Sequence, residues 1–251
     1  PTTQHDAQLE IGDKIELGDS KVNKVKLNNR YVSLVYEDKY LVVIEKREGI
    51  LSMATSHHSF CVKTVLDNYF ERTCQHCRAH LVHRLDRDTS GLMIYAKSRN
   101  VQQLFEQDWK GIVYDRRYVA VAQGLLEQES GTIVSWLKDN KQYYTISSKT
   151  DNGGKRAITH YRILQKGKVN TLVELKLETG RKNQIRVHLS DLYHPVVGDK
   201  KYGSAEEEAS DYAKNTDRMC LHAFRLYFKH PVTGEDLHFE TPIPQSFVKL
   251  L

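Results

Sequence analysis

Residues 83–92 read His83-Arg84-Leu85-Asp86-Arg87-Asp88-Thr89-Ser90-Gly91-Leu92, and an apolar run, Met93-Ile94-Tyr95-Ala96, follows directly. One carboxylate, Asp86, stands between arginines at i−2 and i+1. Neighbouring guanidinium groups favour the charged form of a carboxylate. Asp86 is therefore expected to be ionised near neutral pH and able to act as a nucleophile or a base. Asp88-Thr89-Ser90-Gly91 reads as a turn. A surface turn with a capping aspartate and solvated arginines explains the same residues equally well, and local spacing does not separate the two readings.

Working outward, the flanks are built for a sheet. Val32–Tyr36 and Tyr40–Ile44 are β-rich runs on either side of a charged turn. Tyr118–Ala122 predicts a strand ended by Gly124. Asp151-Asn152-Gly153-Gly154 is a turn signal between strand candidates at 142–148 and 157–164. Thr171–Leu177 alternates cleanly, the pattern of a strand with one buried face. Phe224–Phe228 and Leu237–Phe239 flank Pro231-Val232-Thr233-Gly234 and predict a hairpin. Helical spacing appears at Val62, Val65, Leu66 and Phe70, at Val101, Leu104 and Phe105, and at Ile185, Leu189 and Leu192. Many strands, few helices and hairpin turns imply an α+β domain around a mostly antiparallel mixed sheet flanked by helices and loops. Asn28-Asn29 marks a boundary between a polar segment, 1–28, with a strand candidate at Ile15–Leu17, and a domain over 29–251.

The chain has 251 residues, 27% charged and 39% hydrophobic, with a net charge of +5. That size supports a core without staples. No apolar stretch approaches the ~18 residues a membrane helix needs, and no signal-peptide pattern opens the chain. The reading is of a cytoplasmic protein without a membrane partner. Basic residues gather at Arg84/Arg87, Lys97/Arg99, Arg116/Arg117, Arg181/Lys182/Arg186 and Lys200/Lys201, and acid at Glu206–Glu208 and Asp211. If the basic clusters converge, they form a phosphate-binding face. Cys74-x2-Cys77 has the spacing of half a zinc site, but no second pair completes it. A reduced loop is expected there instead, and no metal.

Phosphate-binding glycine loops, dinucleotide fingerprints, H-E-x-x-H and G-x-S-x-G are all missing from the sequence. Chemistry is therefore expected to rest on side chains without a cofactor. Arg186 follows the buried-face residue Ile185, where a guanidinium could satisfy a buried carboxylate bidentately, although a solvated helix arginine fits equally well. Tyr118 shares its strand face with the small Ala120 and Ala122, leaving room for a flat ligand against the ring. A rim or core tyrosine is the plainer reading.

These residues recur together in a known family. The decapeptide at 83–92 resembles the signature of the RluA-type pseudouridine synthases. Arg117-Tyr118-Val119-Ala120 is similar to that family's tyrosine motif, and Gly180–Leu189 to its Gly-Arg-x-x-Gln-Ile-Arg-x-His-Leu element. His194-Pro195-Val196-Val197-Gly198-Asp199, Tyr202-Gly203, Leu221-His222-Ala223 and His230-Pro231-x-Thr233-Gly234-Glu235 fit in the same order. The resemblance spans about residues 31–245 and implies the pseudouridine synthase fold. It implies Asp86 as the catalytic aspartate, Tyr118 as the tyrosine that stacks on the target base, and Arg186 as the ion-pair partner of Asp86. Arg84, Arg87, Lys46, Arg181, Lys182 and Gln184 take RNA-binding positions. Lys46 lies in Glu45-Lys46-Arg47-Glu48-Gly49, which keeps the lysine and glycine of the family's Asn-Lys-Pro-x-Gly but not its proline. Ile11–Leu17 resembles the last strand of an S4-type RNA-binding domain.

The implied reaction isomerises uridine in RNA, ribosomal more than transfer RNA, by a monomer that needs no cofactor. A target uridine in folded RNA must leave its stack first. Two other readings use less of the sequence. A non-catalytic RNA-binding or ribosome-assembly protein needs only the basic clusters. A glycoside hydrolase would need Asp86 and Asp88 to straddle one bond, which i, i+2 carboxylates seldom do.

Overall fold

The computed structural model describes residues 26–74, 76–203 and 216–251. The strand candidate at 15–17 and the acidic residues at 206–208 and 211 lie outside the described residues. The described residues form one mixed sheet of eleven strands, with helices against it. β1 (Val32–Glu37) and β2 (Leu41–Lys46) are a hairpin whose turn is held by Asp38, the carboxylate accepting the Tyr40 and Leu41 N–H groups at 2.7 and 2.8 Å. α1 (Val62–Thr73) buries Val62, Val65, Leu66, Tyr69 and Phe70. The spacing predicted that face. The short β3 (His80–Leu81) and β4 (Ser90–Ala96) follow, then α2 (Arg99–Gln107) and the single turn α3 (Trp109–Ile112).

The second half of the sheet is β5 (Val113–Gln123), β6 (Ser130–Asp139), β7 (Thr145–Ser148), β8 (Lys155–Lys166) and β9 (Asn170–Leu177). After α4 (Gln184–Asp191) come β10 (Leu221–Lys229), β11 (Asp236–Glu240) and α5 (Gln245–Val248). Spatial order along the sheet is β1-β2-β4-β10-β5-β9-β8-β6-β7, with β3 added beside β4 and β11 beside β10. All pairings are antiparallel but one: β10 meets β4 in parallel through His222–Ser90 and Ala223–Gly91. The β10–β11 hairpin is where the sequence put it.

Four expectations change. Gly91 is not a turn residue; it lies in β4 with φ +120, and a Cβ there would collide with the Ala223 carbonyl. Glycine is required because two backbones approach closely in the parallel contact. β9 is buried on both faces, because its polar face carries Glu174, which Arg117 on β5 and Arg162 on β8 each hold at 2.7 Å. Burial opposes ionisation of Glu174, but the two arginines outweigh it and hold the carboxyl below its usual value. β6 is a ten-residue strand where none was expected. Finally, Cys74 and Cys77 form a disulfide instead of staying reduced. Cys74 caps α1, and the Cys77 N–H donates to the Cys74 carbonyl at 3.0 Å, a turn tight enough to bring the two Cα atoms to 5.4 Å.

Candidate active site

Asp86 sits on the loop before β4, at the wall of a cavity of about 360 Å³. The backbone on either side of it is clamped. The Ser52 hydroxyl donates to the Leu85 carbonyl at 2.7 Å and accepts the Leu85 N–H at 3.2 Å. The Arg87 carbonyl accepts from both the Gly49 N–H (2.9 Å) and the Lys46 ammonium (2.8 Å). Leu85 itself is buried in the core. The Asp86 side chain thus projects from a fixed backbone and stays partly exposed to the cavity.

Its cation comes from α4. Arg186 Nη1 lies 3.5 Å from Asp86 Oδ2, while Nε and Nη2 fork onto Asp199 at 2.7 Å each. Asp199 is fully buried and also accepts the Lys201 and Tyr202 N–H groups. Asn183, in the left-handed region at φ +53, accepts from Arg186 Nη1 at 2.9 Å, and the Tyr202 ring lies 5.0 Å below the guanidinium. Burial weakens the charge of Arg186, but the hydrogen bonds to Asp199 more than offset that and raise its affinity for the proton. The bidentate partner of Arg186 is therefore Asp199, and Asp86 receives a longer single contact.

Tyr118, buried in β5, also lines the cavity. Its hydroxyl makes no hydrogen bond among the described residues. Arg116 lies 5.7 Å above the Tyr118 ring and 5.4 Å from the Trp109 ring, and its guanidinium has no ion pair among the described residues. His83 stacks obliquely on Trp109 at 5.4 Å. Its Nε2 accepts the Ile94 N–H at 3.1 Å, which leaves the proton on Nδ1, buried without a partner among the described residues. Burial and the nearby Arg116 pull this imidazole down to about 3, so it is neutral.

The cavity gathers Arg84, Asp86, Tyr118, Arg181, Lys182, Gln184 and Arg186 from distant parts of the chain. Arg84 and Arg181 have no ion pair among the described residues, and Lys182 pairs with Asp139 at 2.8 Å. Arg87 turns to Asp88 instead of Asp86. Two residues expected to contact RNA are buried. Lys46 is wholly buried, its ammonium donating to the carbonyls of Arg47, Ile50 and Arg87 at 2.8–2.9 Å, because the loops on both sides close over it. Burial draws that ammonium down to about 7, against the pull of Asp88, Asp86 and Glu48. Gln184 is buried too, its amide spent on Ile158, Thr159, Thr179 and Arg181. Of the basic clusters, Lys97 is buried against Glu37 and the half-buried Arg117 is paired with Asp115 and Glu174, so convergence is partial. Asp199 stood in a quoted motif without a role. His83 opened the quoted decapeptide and Arg116 stood in a quoted basic cluster, both without a role, and Trp109 carried no local signal beyond its residue type.

Residues 40–191 match the family model of RNA pseudouridylate synthase. The chain is 35% identical over 221 residues to the uncharacterized RNA pseudouridine synthase YjbO of Bacillus subtilis, covering 88% of this chain and 75% of that one. It is 34% identical over 236 residues to the ribosomal large subunit pseudouridine synthase D of Haemophilus influenzae, covering 91% and 72%. Among solved structures, human RNA pseudouridylate synthase domain containing 1 superposes with a TM-score of 0.68 at 25% identity, over 87% of this chain and 85% of that one. The chain belongs to the RNA pseudouridylate synthase family, the isomerases that act on RNA. Within it the chain is of the RluA type, as the decapeptide at 83–92 indicated.

Proposed function

We propose that this chain isomerises a uridine of ribosomal RNA to pseudouridine, with Asp86 as the reacting carboxylate. The observation that carries the reading is Asp86 at the wall of a cavity that Tyr118 also lines, with the Arg186 guanidinium 3.5 Å from its carboxylate. Ribosomal RNA is favoured over transfer RNA by relatives such as the Haemophilus influenzae enzyme, whose name gives the large ribosomal subunit.

The target nucleotide is extruded into the cavity, costing a few kcal/mol that stacking and phosphate contacts offset. Tyr118 supplies the stacking face. Arg84 and Arg181, lacking carboxylate partners, take the phosphates. Arg186 orients the Asp86 carboxylate beside the reacting nucleotide. The N1–C1′ bond breaks, the uracil turns within the cavity, and a C5–C1′ bond forms. The C5 proton is lost and N1 gains one, so the reaction balances without redox change. Residues 29–251 are the unit that performs it.

Ribosomal RNA carrying tritium at uridine C5 tests this directly. Wild-type protein should release tritium, and Asp86→Asn, isosteric and unable to attack, should release none above background. Equal release by the two proteins rules out Asp86 as the reacting group.

A further inference from the structure

A second cavity, about 450 Å³, adjoins the first. The two share Trp109, Arg116, Leu177, Gly180 and Arg181, so the wall between them is little more than the Arg116 guanidinium lying against Gly180. A Cβ at Gly180 would sit 3.4 Å from Arg116 Nη2. The lining is basic and aromatic: Lys110, Arg116, Lys176 and Arg181 with Trp109 and Tyr114. Its carboxylate, Glu178, is engaged by His160 at 2.7 Å. Trp109 is a fixed surface, wedged between Phe105 and His83.

We propose that this cavity is a subsite for the nucleotide next to the target uridine in the RNA strand, with its base stacked on Trp109 and the intervening phosphate held by Arg116 and Arg181. The proposal rests on the isomerase reading above. Adjacency fits it: one phosphodiester must bridge two neighbouring bases, and the two unpaired guanidinium groups stand where the cavities meet. Chemistry fits as well. A nucleotide needs a flat apolar surface and a cation together, and base–aromatic stacking is sequence-tolerant because every base has a π-face. Arg116 without a carboxylate partner, half-buried between two rings, is a cation awaiting an anion. Selection of the target would then depend on whether its neighbour can also leave the stack.

The probe is a single-stranded heptaribonucleotide with one central uridine, and two copies with an abasic sugar immediately before or after that uridine. In protein carrying Trp136→Phe, Trp109 is the remaining tryptophan. The intact probe should quench its fluorescence, and one of the abasic probes should fail to quench and bind roughly tenfold more weakly. Trp109→Leu, which keeps apolar volume against Phe105, should bind the intact probe as weakly as wild type binds the abasic one. It should also be indifferent to the abasic change. Equal binding of all three probes by wild type, or additive losses from Trp109→Leu and the abasic site, overturns the subsite. Tritium release from ribosomal RNA is scored separately. Its absence removes the isomerase reading without bearing on the quench, and quenching absent from an active enzyme removes only the subsite.

Discussion

Arg186 gives two guanidinium nitrogens to the buried Asp199 and turns the third toward Asp86, 3.5 Å away. Asp199 therefore fixes the position of the charge that Asp86 faces. Asp199→Ala leaves Arg186 buried and unpaired, and loss of one partner of a buried pair costs about 3–5 kcal/mol. Asp199→Asn keeps the volume but loosens the fork, and misplacement of a reacting group by about 1 Å costs roughly a hundredfold in rate. Turnover should fall while the KM for RNA changes little, because the proposed phosphate contacts, Arg84 and Arg181, are elsewhere. A KM effect with unchanged turnover would argue that Asp199 serves RNA binding instead.

Lys46→Met tests a role opposite to the one the sequence indicated. Methionine has similar length and removes the ammonium donor from the Arg47 and Ile50 carbonyls, each costing about 1 kcal/mol or more, while the Arg87 carbonyl keeps the Gly49 N–H. Urea unfolding should show a loss of roughly 2 kcal/mol. Because the ammonium is inside the protein, the salt dependence of RNA binding should match wild type. A shallower salt slope in a stably folded variant would return Lys46 to the RNA surface.

Arg84→Gln and Arg181→Gln should each reduce the slope of log Kd against log salt by about 1, one phosphate contact apiece. Arg99→Gln, on α2 and paired with Glu106, lines neither cavity and should leave the slope alone. Equal effects from all three would mean diffuse charge rather than a defined track.

Three histidines make the fold acid-sensitive. His83 is drawn down to about 3, chiefly by burial with Arg116 beside it. His188 and His222 are drawn down to about 4 by burial, with Arg218 contributing at His222. In the unfolded chain each binds a proton near pH 6.5. Above that pH the contribution to stability is complete. As pH falls from 6.5 toward 4, the unfolded state takes up protons that the folded state refuses, and stability is lost by up to about 1.4 kcal/mol per pH unit per group. Thermal melts at pH 7.5 and 5 should differ accordingly. His188→Gln should flatten the difference, since Ser135 and Thr159 would still find amide partners at that position.

Much of this was legible in the sequence. β1, β2, β5, β10 and β11 follow alternating or β-branched runs between turn residues, and α1, α2 and α4 follow helical spacing. Asp86 and Arg186 were readable as a motif and as a position on a helix face. What was hidden depends on distant parts of the chain. β6 alternates weakly because its exposed face is mixed, and β9 reads as half-buried until arginines from two other strands cover Glu174. The fate of Lys46 is set by carbonyls of Ile50 and Arg87, the second 41 residues away. Arg116 and Trp109 matter through the space between them, and no local pattern encodes a space.

The order of strands has a consequence in time. Asp86 precedes β4, whereas Tyr118 and Arg186 belong to the β5–α4 half, and the hydrogen-bonded ladder joins those halves only through β10 among the described residues. β10 begins at Leu221, later in the chain than β1–β9 and α4. A nascent chain emerging from the ribosome would therefore hold the carboxylate and its partners on two unsealed sheets. Reactivity toward RNA would switch on when that last central strand slides into place.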